Sequence, residues 1–237
     1  MSMRPLSLVL LVILIFVALL LLAIRASQRQ TAEKTHQALT LGYDEVTSRP
    51  SQLISRVESL YKRRENQGIH VDQVYSKRDW DQELFIFDAQ DSSEDDNEMG
   101  SEIFGVISDK LSLPQFSLTT LPGFNSDTLI GGLMEKLLDK VLEVAGKYQG
   151  LSRIEFPDRP EIDDQIIVFG KDQEAVRELI GRIPISSIIT GKSPLHIAGL
   201  GDFLTVDFSQ MGSFQDPEND LITQHQEFIR ILGYFKK

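Results

Sequence analysis

The chain has 237 residues, of which 41% are apolar and 25% are charged, and its formal net charge is −11. This composition is typical of a folded globular protein and excludes a wholly disordered chain. The acidic balance argues against nucleic acid as a partner, because the phosphates would repel the protein. Cysteine is absent, which excludes disulfides, thiolate metal sites, iron–sulfur clusters and a cysteine nucleophile.

The N-terminal segment contains a long apolar run from Leu6 to Ile24. It carries no charged residue, and Ser7 is its only polar residue. As a helix, these 19 residues rise about 28 Å, close to the roughly 30 Å of a bilayer's hydrocarbon core. The sequence therefore predicts a transmembrane anchor over residues 1–25, with the lipid bilayer as its partner through Leu6 to Ile24.

The residues around the run bear on cleavage and orientation. A cleaved signal peptide is the alternative, but Ile24-Arg25-Ala26 is a poor cleavage site, so an uncleaved anchor is expected. Arg25, Arg29 and Lys34 follow the run, against Arg4 alone before it. The positive-inside rule then places the rest of the chain in the cytoplasm.

The first half of the remaining chain is divided by its apolar patterning. Residues 26–49 are polar and indicate a linker or a short juxtamembrane helix. Residues 50–122 form a first predicted lobe, which starts with an amphipathic helix at Pro50 and Ser51. Strands are predicted next, followed by an extended segment that contains two prolines. The ranges are Ile69 to Tyr75, Glu83 to Asp88, Ser101 to Ser108, and Leu111 to Pro122.

The second half begins with a long amphipathic helix over 123–150, whose periodic core runs from Asp127 to Tyr148. Residues 151–237 form a second predicted lobe. It contains a buried strand at Gln165 to Phe169, a helix capped by Asp172, a hairpin over 195–208 and a last helix capped by Asp216. The fold class is therefore α+β: a transmembrane helix, then short antiparallel strands mixed with amphipathic helices in two packed lobes.

The sequence offers few candidates for chemistry. Neither a complete P-loop nor a dinucleotide fingerprint nor a serine elbow is present, and no catalytic, cofactor or metal residue is assigned. His196 would become a general base near Asp207 if the hairpin paired them, although nothing identifies a nucleophile. His225 lies on the apolar face of the last helix and is expected to be a hydrogen-bonded core residue.

Acidic side chains are concentrated in the loop Ala89 to Gly100. Its carboxylates could offer oxygen ligands to calcium, but the order of an EF-hand loop is missing, so a solvated loop is preferred. Asp163 and Asp164 are a weaker pair, interpreted as a turn before a strand.

Several phrases of the sequence resemble a widespread, uncharacterised group of bacterial membrane-associated proteins. They are LFIFDAQ from Leu84, EIFGVISDKLSLPQFSL from Glu102, and IEFPDRPEIDDQIIVFGKDQEAVRELI from Ile154. The resemblance implies bacterial origin, an N-terminal span and a cytoplasmic α+β body. It implies no activity.

These observations favour a membrane-anchored binding or scaffolding protein without enzymatic activity. The alternative is a membrane-anchored hydrolase that uses residues such as His196 and Asp207. A third possibility is an assembly subunit that oligomerises through the long helix at Asp127 to Tyr148. The sequence identifies no particular protein partner.

Overall fold

The computed structural model describes residues 5–48, 50–60, 69–91, 101–121, 150–163, 165–189, 195–208 and 220–236. Within these ranges, the side chains of 5–12, 23, 26, 27, 30, 69, 90, 91 and 101 are not described. The chain separates into two compact units, Met1–Gly42 and Tyr43–Lys237. The predicted helix at 123–150 lies outside the described residues, apart from Gly150.

The first unit is a single long helix, α1 (Pro5–Thr40). The helix ends where Gly42 takes a left-handed φ of 80° and its N–H bonds the Leu39 carbonyl. The polar segment after residue 25, predicted as a linker or a juxtamembrane helix, is thus helical as far as Thr40. Within the part of the chain that the structure describes, no helix qualifies as a membrane span by both its length and its apolarity.

The second unit is built on a sheet whose described strands are all antiparallel to their neighbours. In chain order, the strands are β1 (Asp44–Glu45), β2 (Ile69–Asp79), β3 (Gln82–Asp91), β4 (Ser101–Ser108), β5 (Leu113–Thr120), β6 (Ser152–Ile154), β7 (Ile166–Gly170), β8 (His196–Gly201) and β9 (Phe203–Asp207). Their order across the sheet is β1-β2-β3-β4-β9-β8-β5-β7-β6. The α+β class is therefore confirmed.

Strands from the two predicted lobes alternate in this sheet. β4, from residues 50–122, pairs with β9, and β5 lies between β8 and β7, which come from residues 151–237. The main-chain hydrogen bonds of β5 are satisfied only by strands that follow it in sequence. The two ranges therefore contribute to one continuous sheet, in place of the two packed lobes that the sequence predicts.

One face of the sheet is covered by the helix α2 (Ser51–Leu60). Its buried residues Leu53, Val57 and Leu60 pack with side chains of β3, β4, β8 and β9, among them Phe87 and Phe203. Packing of an amphipathic helix onto a sheet removes both apolar surfaces from water, which is the main source of stability here. Arg56 of α2 also donates to Asp202 in the β8–β9 turn, over 2.6 Å.

The opposite face is covered by the helices α4 (Gln173–Arg182) and α6 (Leu221–Phe235), while the short helices α3 (Pro160–Asp163) and α5 (Ile185–Ile188) lie in connections. Phe104 of β4 lies 5.4 Å from Phe228 of α6, centroid to centroid. Gly170 lets α4 approach closely, because a Cβ there would lie 2.8 Å from Val176 Cγ2.

Helix capping is confirmed at one of the two predicted sites. Asp172 accepts a hydrogen bond from the Ala175 N–H over 3.1 Å, as its position before an apolar stripe predicts. In the last helix, Asp220 is the cap, with extended backbone (φ −76°, ψ 153°), and it accepts from the Thr223 N–H over 2.7 Å. The predicted cap Asp216 lies outside the described residues.

The extended segment Leu111 to Pro122 contains a strand despite Pro114. The pairing of β5 with β8 shifts between Leu113 and Phe116, and the pairing with β7 starts only at Phe116. Pro114 lacks an N–H, so it is tolerated at this irregularity and would not be tolerated within the regular ladder.

Candidate functional site

Three polar side chains lie in one row across β5, β8 and β9. Thr119 is opposite His196, and His196 is opposite Asp207. Residues paired in this way point to the same face of the sheet, with Cβ atoms roughly 5 Å apart. The hairpin thus brings His196 and Asp207 together, as the alternative hydrolase hypothesis requires, and β5 adds Thr119.

Thr119 and His196 are in direct contact. The distance from Thr119 Oγ1 to His196 Nδ1 is 3.1 Å, within hydrogen-bond range. A neutral imidazole accepts at one ring nitrogen and donates at the other, so either partner can be the donor here. The contact fixes the orientation of the imidazole between the strands.

The row is closed to solvent. Thr119, His196 and Asp207 are 6%, 3% and 4% exposed. At its ends, the same register continues with Ile167 of β7 beside Thr119 and Ile103 of β4 beside Asp207. Buried polar groups are stable only when they are hydrogen-bonded, which the Thr119–His196 contact achieves in part.

The residue types of the row match those of a hydroxyl nucleophile, a base and an orienting carboxylate. Catalysis by such a group needs space for a substrate carbonyl next to the hydroxyl oxygen. Burial of Thr119 to 6% exposure leaves its side chain little solvent contact. The arrangement can position an imidazole and a carboxylate within the sheet, which is a structural task.

A second polar group lies under α6, on the opposite face of the sheet. Tyr43, just before β1, is 1% exposed, and its ring meets that of His225 edge-on at 5.6 Å. Among the described residues, neither Tyr43 Oη nor His225 Nε2 has a hydrogen-bond partner. The prediction that His225 is a hydrogen-bonded core residue is therefore wrong for Nε2. The imidazole instead lies near the aromatic rings of Tyr43 and Phe104, at 5.6 and 6.4 Å between centroids.

Burial sets the ionisation of this pair. It raises the pKa of the Tyr43 hydroxyl. It also lowers the pKa of His225, and the nearby Lys77 ammonium lowers it further. Both shifts favour the neutral forms, as desolvation does for any buried acid or base.

Replacement of His225 is expected to flatten the pH dependence of stability. Because the pKa of His225 is lowered in the folded protein, the unfolded chain binds a proton first as the pH falls below about 6.5. The contribution of neutral His225 to the free energy of unfolding is therefore fully present above that pH and is lost as the pH falls below it. In His225→Phe, which keeps a ring against Tyr43, the difference in melting temperature between neutral and mildly acidic solution should shrink.

The control for this measurement is His70→Gln, since His70 is exposed on β2. Its melting temperature should change with pH as that of the unsubstituted chain does. An unaltered pH dependence in His225→Phe would contradict the assignment of His225 as the group that titrates.

Most of the acidic side chains considered as metal ligands lie outside the described residues. Asp163 Oδ2 accepts from the Phe156 N–H over 3.0 Å, which agrees with a role in the turn. Of the acidic loop, residues 92–100 lie outside the described residues, as does Asp164. Within the described ranges, no group of three histidine, aspartate or glutamate side chains could hold a metal ion.

Sequence reasoning missed Thr119 and the environment of Tyr43. Nothing in the local sequence of β5 distinguishes Thr119 from Thr120, which instead accepts from the Leu195 N–H over 2.8 Å. Tyr43 lies at the junction of the two units, where no periodic pattern marks it as buried. Both assignments depend on strand pairing over long sequence separations.

Comparison with known proteins gives one similarity. No protein-family model matches the chain, and no curated protein matches it. The chain is similar to the crystal structure of the mycobacterial trehalose monomycolate transport factor A, TtfA, with 13% identity and a TM-score of 0.48. The alignment covers 86% of this chain and 91% of that one. At this level, the similarity carries no argument about function.

Proposed function

We propose that this chain is a single-pass bacterial membrane protein whose α+β domain, in the cytoplasm, binds or scaffolds other molecules without catalysing a reaction. The anchor is the segment from Leu6 to Ile24. The partner is another protein or a second copy of the chain. The phrases shared with the bacterial membrane-associated group support this placement.

One observation supports the non-enzymatic assignment above all: the convergent polar row is closed inside the sheet. Thr119, His196 and Asp207 have between 3% and 6% exposure. An enzyme exposes its reacting groups in a cleft, at least on binding its substrate. A binding domain instead needs only a stable scaffold, to which a buried, oriented polar row contributes.

Support for the anchor comes from the sequence of the run and from the surface of α1. The apolar side chains described between Ile13 and Ile24 include Phe16 and Leu22, which are 68% and 61% exposed. Exposure of this many large apolar side chains to water is unfavourable, by about 25 cal/mol for each Å². Lipid would remove that cost on all sides of the helix.

Extraction of native membranes with alkaline carbonate tests the proposal. The full chain should stay in the membrane pellet, whereas a chain lacking residues 1–25 should remain in the supernatant. Release of the full chain would contradict the anchor and leave only a peripheral attachment.

The hydrolase remains the second candidate, because Thr119, His196 and Asp207 form a nucleophile–base–acid sequence of residue types. Reaction of the histidines with diethylpyrocarbonate distinguishes the two. We expect rapid modification of His36 and His70, which are exposed, and protection of His196, which is buried. Modification of His196 as fast as that of His70 would show an accessible site and favour the hydrolase.

A further inference from the structure

Trp80 is the only tryptophan of the chain and lies at the tip of the β2–β3 hairpin. Asp79 and Gln82 are the last paired residues, which leaves Trp80 and Asp81 as the loop. The Trp80 side chain is 101% exposed. Among the described residues of the second unit, Ile229 is the other exposed large apolar side chain, and it is only 39% exposed.

The backbone at Trp80 is also unfavourable for its side chain. Its φ of 43° lies in the left-handed region, which costs an ordinary residue about 1–2 kcal/mol. Two-residue hairpin loops prefer glycine or asparagine at such positions. Because Trp80 contributes neither buried area nor a favourable turn, folding stability does not explain a tryptophan here.

One of the two carboxylates beside Trp80 has a cationic partner. The Asp81 carboxylate forms an ion pair with Lys110, and the Lys236 ammonium donates to the Gln82 side chain over 2.7 Å. The pKa of Asp81 is lowered, mainly by the hydrogen bond from Lys110 and further by the positive charge of Lys236. The Asp81 carboxylate next to the indole is therefore paired with a cation.

The chain enters the second unit at this end of the hairpin. Asp44 of β1 pairs with Ser76 of β2, and the Lys77 ammonium lies 5.9 Å from the centroid of the Tyr43 ring. Trp80 follows Lys77 by three residues, or roughly 10 Å along a strand. Tyr43, the first residue of the second unit, thus lies against the hairpin that carries the exposed indole.

We infer that the Trp80 tip is a second membrane contact, at the level of the lipid headgroups. Indole rings favour this region because their body is apolar and their N–H can bond water or lipid. The inference rests on the proposed anchor, which keeps the tip near lipid. It also requires α1 to lie tilted in the bilayer, since the 16 residues from Arg25 to Thr40 would rise about 24 Å if upright.

Fluorescence of the full chain in vesicles tests this contact, because Trp80 is the sole source of tryptophan emission. The vesicles contain phosphatidylcholine and phosphatidylglycerol in equal parts, without bromine or with acyl chains brominated near the headgroup or near the chain end. Flotation of the same samples reports anchoring independently. We expect floating protein whose emission is quenched most by bromine near the headgroup.

The matched control carries the tryptophan elsewhere: Trp80→Phe combined with Ile229→Trp, at the partly exposed position on α6. Its emission should be insensitive to brominated lipid. If the unsubstituted chain floats without quenching, or if both chains are quenched equally, the Trp80 contact is overturned and the anchor stands. If the unsubstituted chain does not float, the anchor fails and the second contact fails with it.

Discussion

The double variant Leu14→Arg, Val17→Arg should abolish retention of the protein in the membrane. Both positions lie near the middle of the apolar run, and their side chains are 58% and 45% exposed on α1. Arginine at the centre of a membrane helix costs about 2.5–3.5 kcal/mol on the insertion scale. Two such changes should shift the partition toward the aqueous phase by several orders of magnitude. Carbonate extraction measures the change as loss of protein from the pellet.

The matched control is Leu39→Arg. Leu39 is also exposed on α1, at 53%, but it lies beyond the apolar run. Its replacement adds one arginine to the same helix, outside the apolar run, and should leave the protein in the pellet. If the double variant were retained as well as Leu39→Arg, the run from Leu6 to Ile24 could not be the anchor.

Truncation of Phe104 should destabilise the whole second unit in one transition. Phe104 is fully buried on β4, and its ring packs against Phe208 at 5.5 Å and Phe228 at 5.4 Å. Phe104→Ala removes these contacts and leaves a cavity, which costs about 3–5 kcal/mol in a core. For a unit of this size, such a loss lowers the melting temperature by roughly 10 °C. Circular dichroism of the chain lacking residues 1–25 measures it.

The form of the unfolding curve tests the architecture. Phe104 belongs to the first predicted lobe and Phe228 to the second, so in one continuous sheet both unfold together. Ile229→Ala, next to Phe228 but facing outward, should change stability by less than about 0.5 kcal/mol. Two separate transitions, with only one of them lowered in Phe104→Ala, would contradict the single sheet.

Local sequence patterns predicted most of the strands, because the pattern of apolar residues within a strand reflects which of its faces are buried. Leu84 to Phe87 is apolar at every position, as a strand covered on both faces must be, and β3 contains it. The β8–β9 hairpin followed from the turn residues near Gly201, whose φ is 61°. Strand pairing over long separations has no such local signal, so the insertion of β5 between β7 and β8 could not be predicted.

In the candidate site, too, contacts between residues close in sequence could be predicted, and contacts between distant residues could not. His196 and Asp207 could be placed together because a hairpin pairs residues that are close in sequence. Thr119 precedes His196 by 77 residues in the chain. Their contact follows from the order of the strands in the sheet, which local sequence does not predict. Trp80 is different: no local sequence pattern marked it, because its left-handed backbone and complete exposure are properties of the folded hairpin.

Labelling of single cysteines from the two sides of the membrane tests the central claim most directly, because the chain has no cysteine to give background. Ser2→Cys places a thiol before the apolar run, and Asp158→Cys places one at an exposed position of the domain. In intact cells, an impermeant maleimide should label Ser2→Cys, and it should label Asp158→Cys only after lysis. Labelling of Asp158→Cys in intact cells would contradict a cytoplasmic domain, and labelling of both from one side would contradict a membrane-spanning anchor.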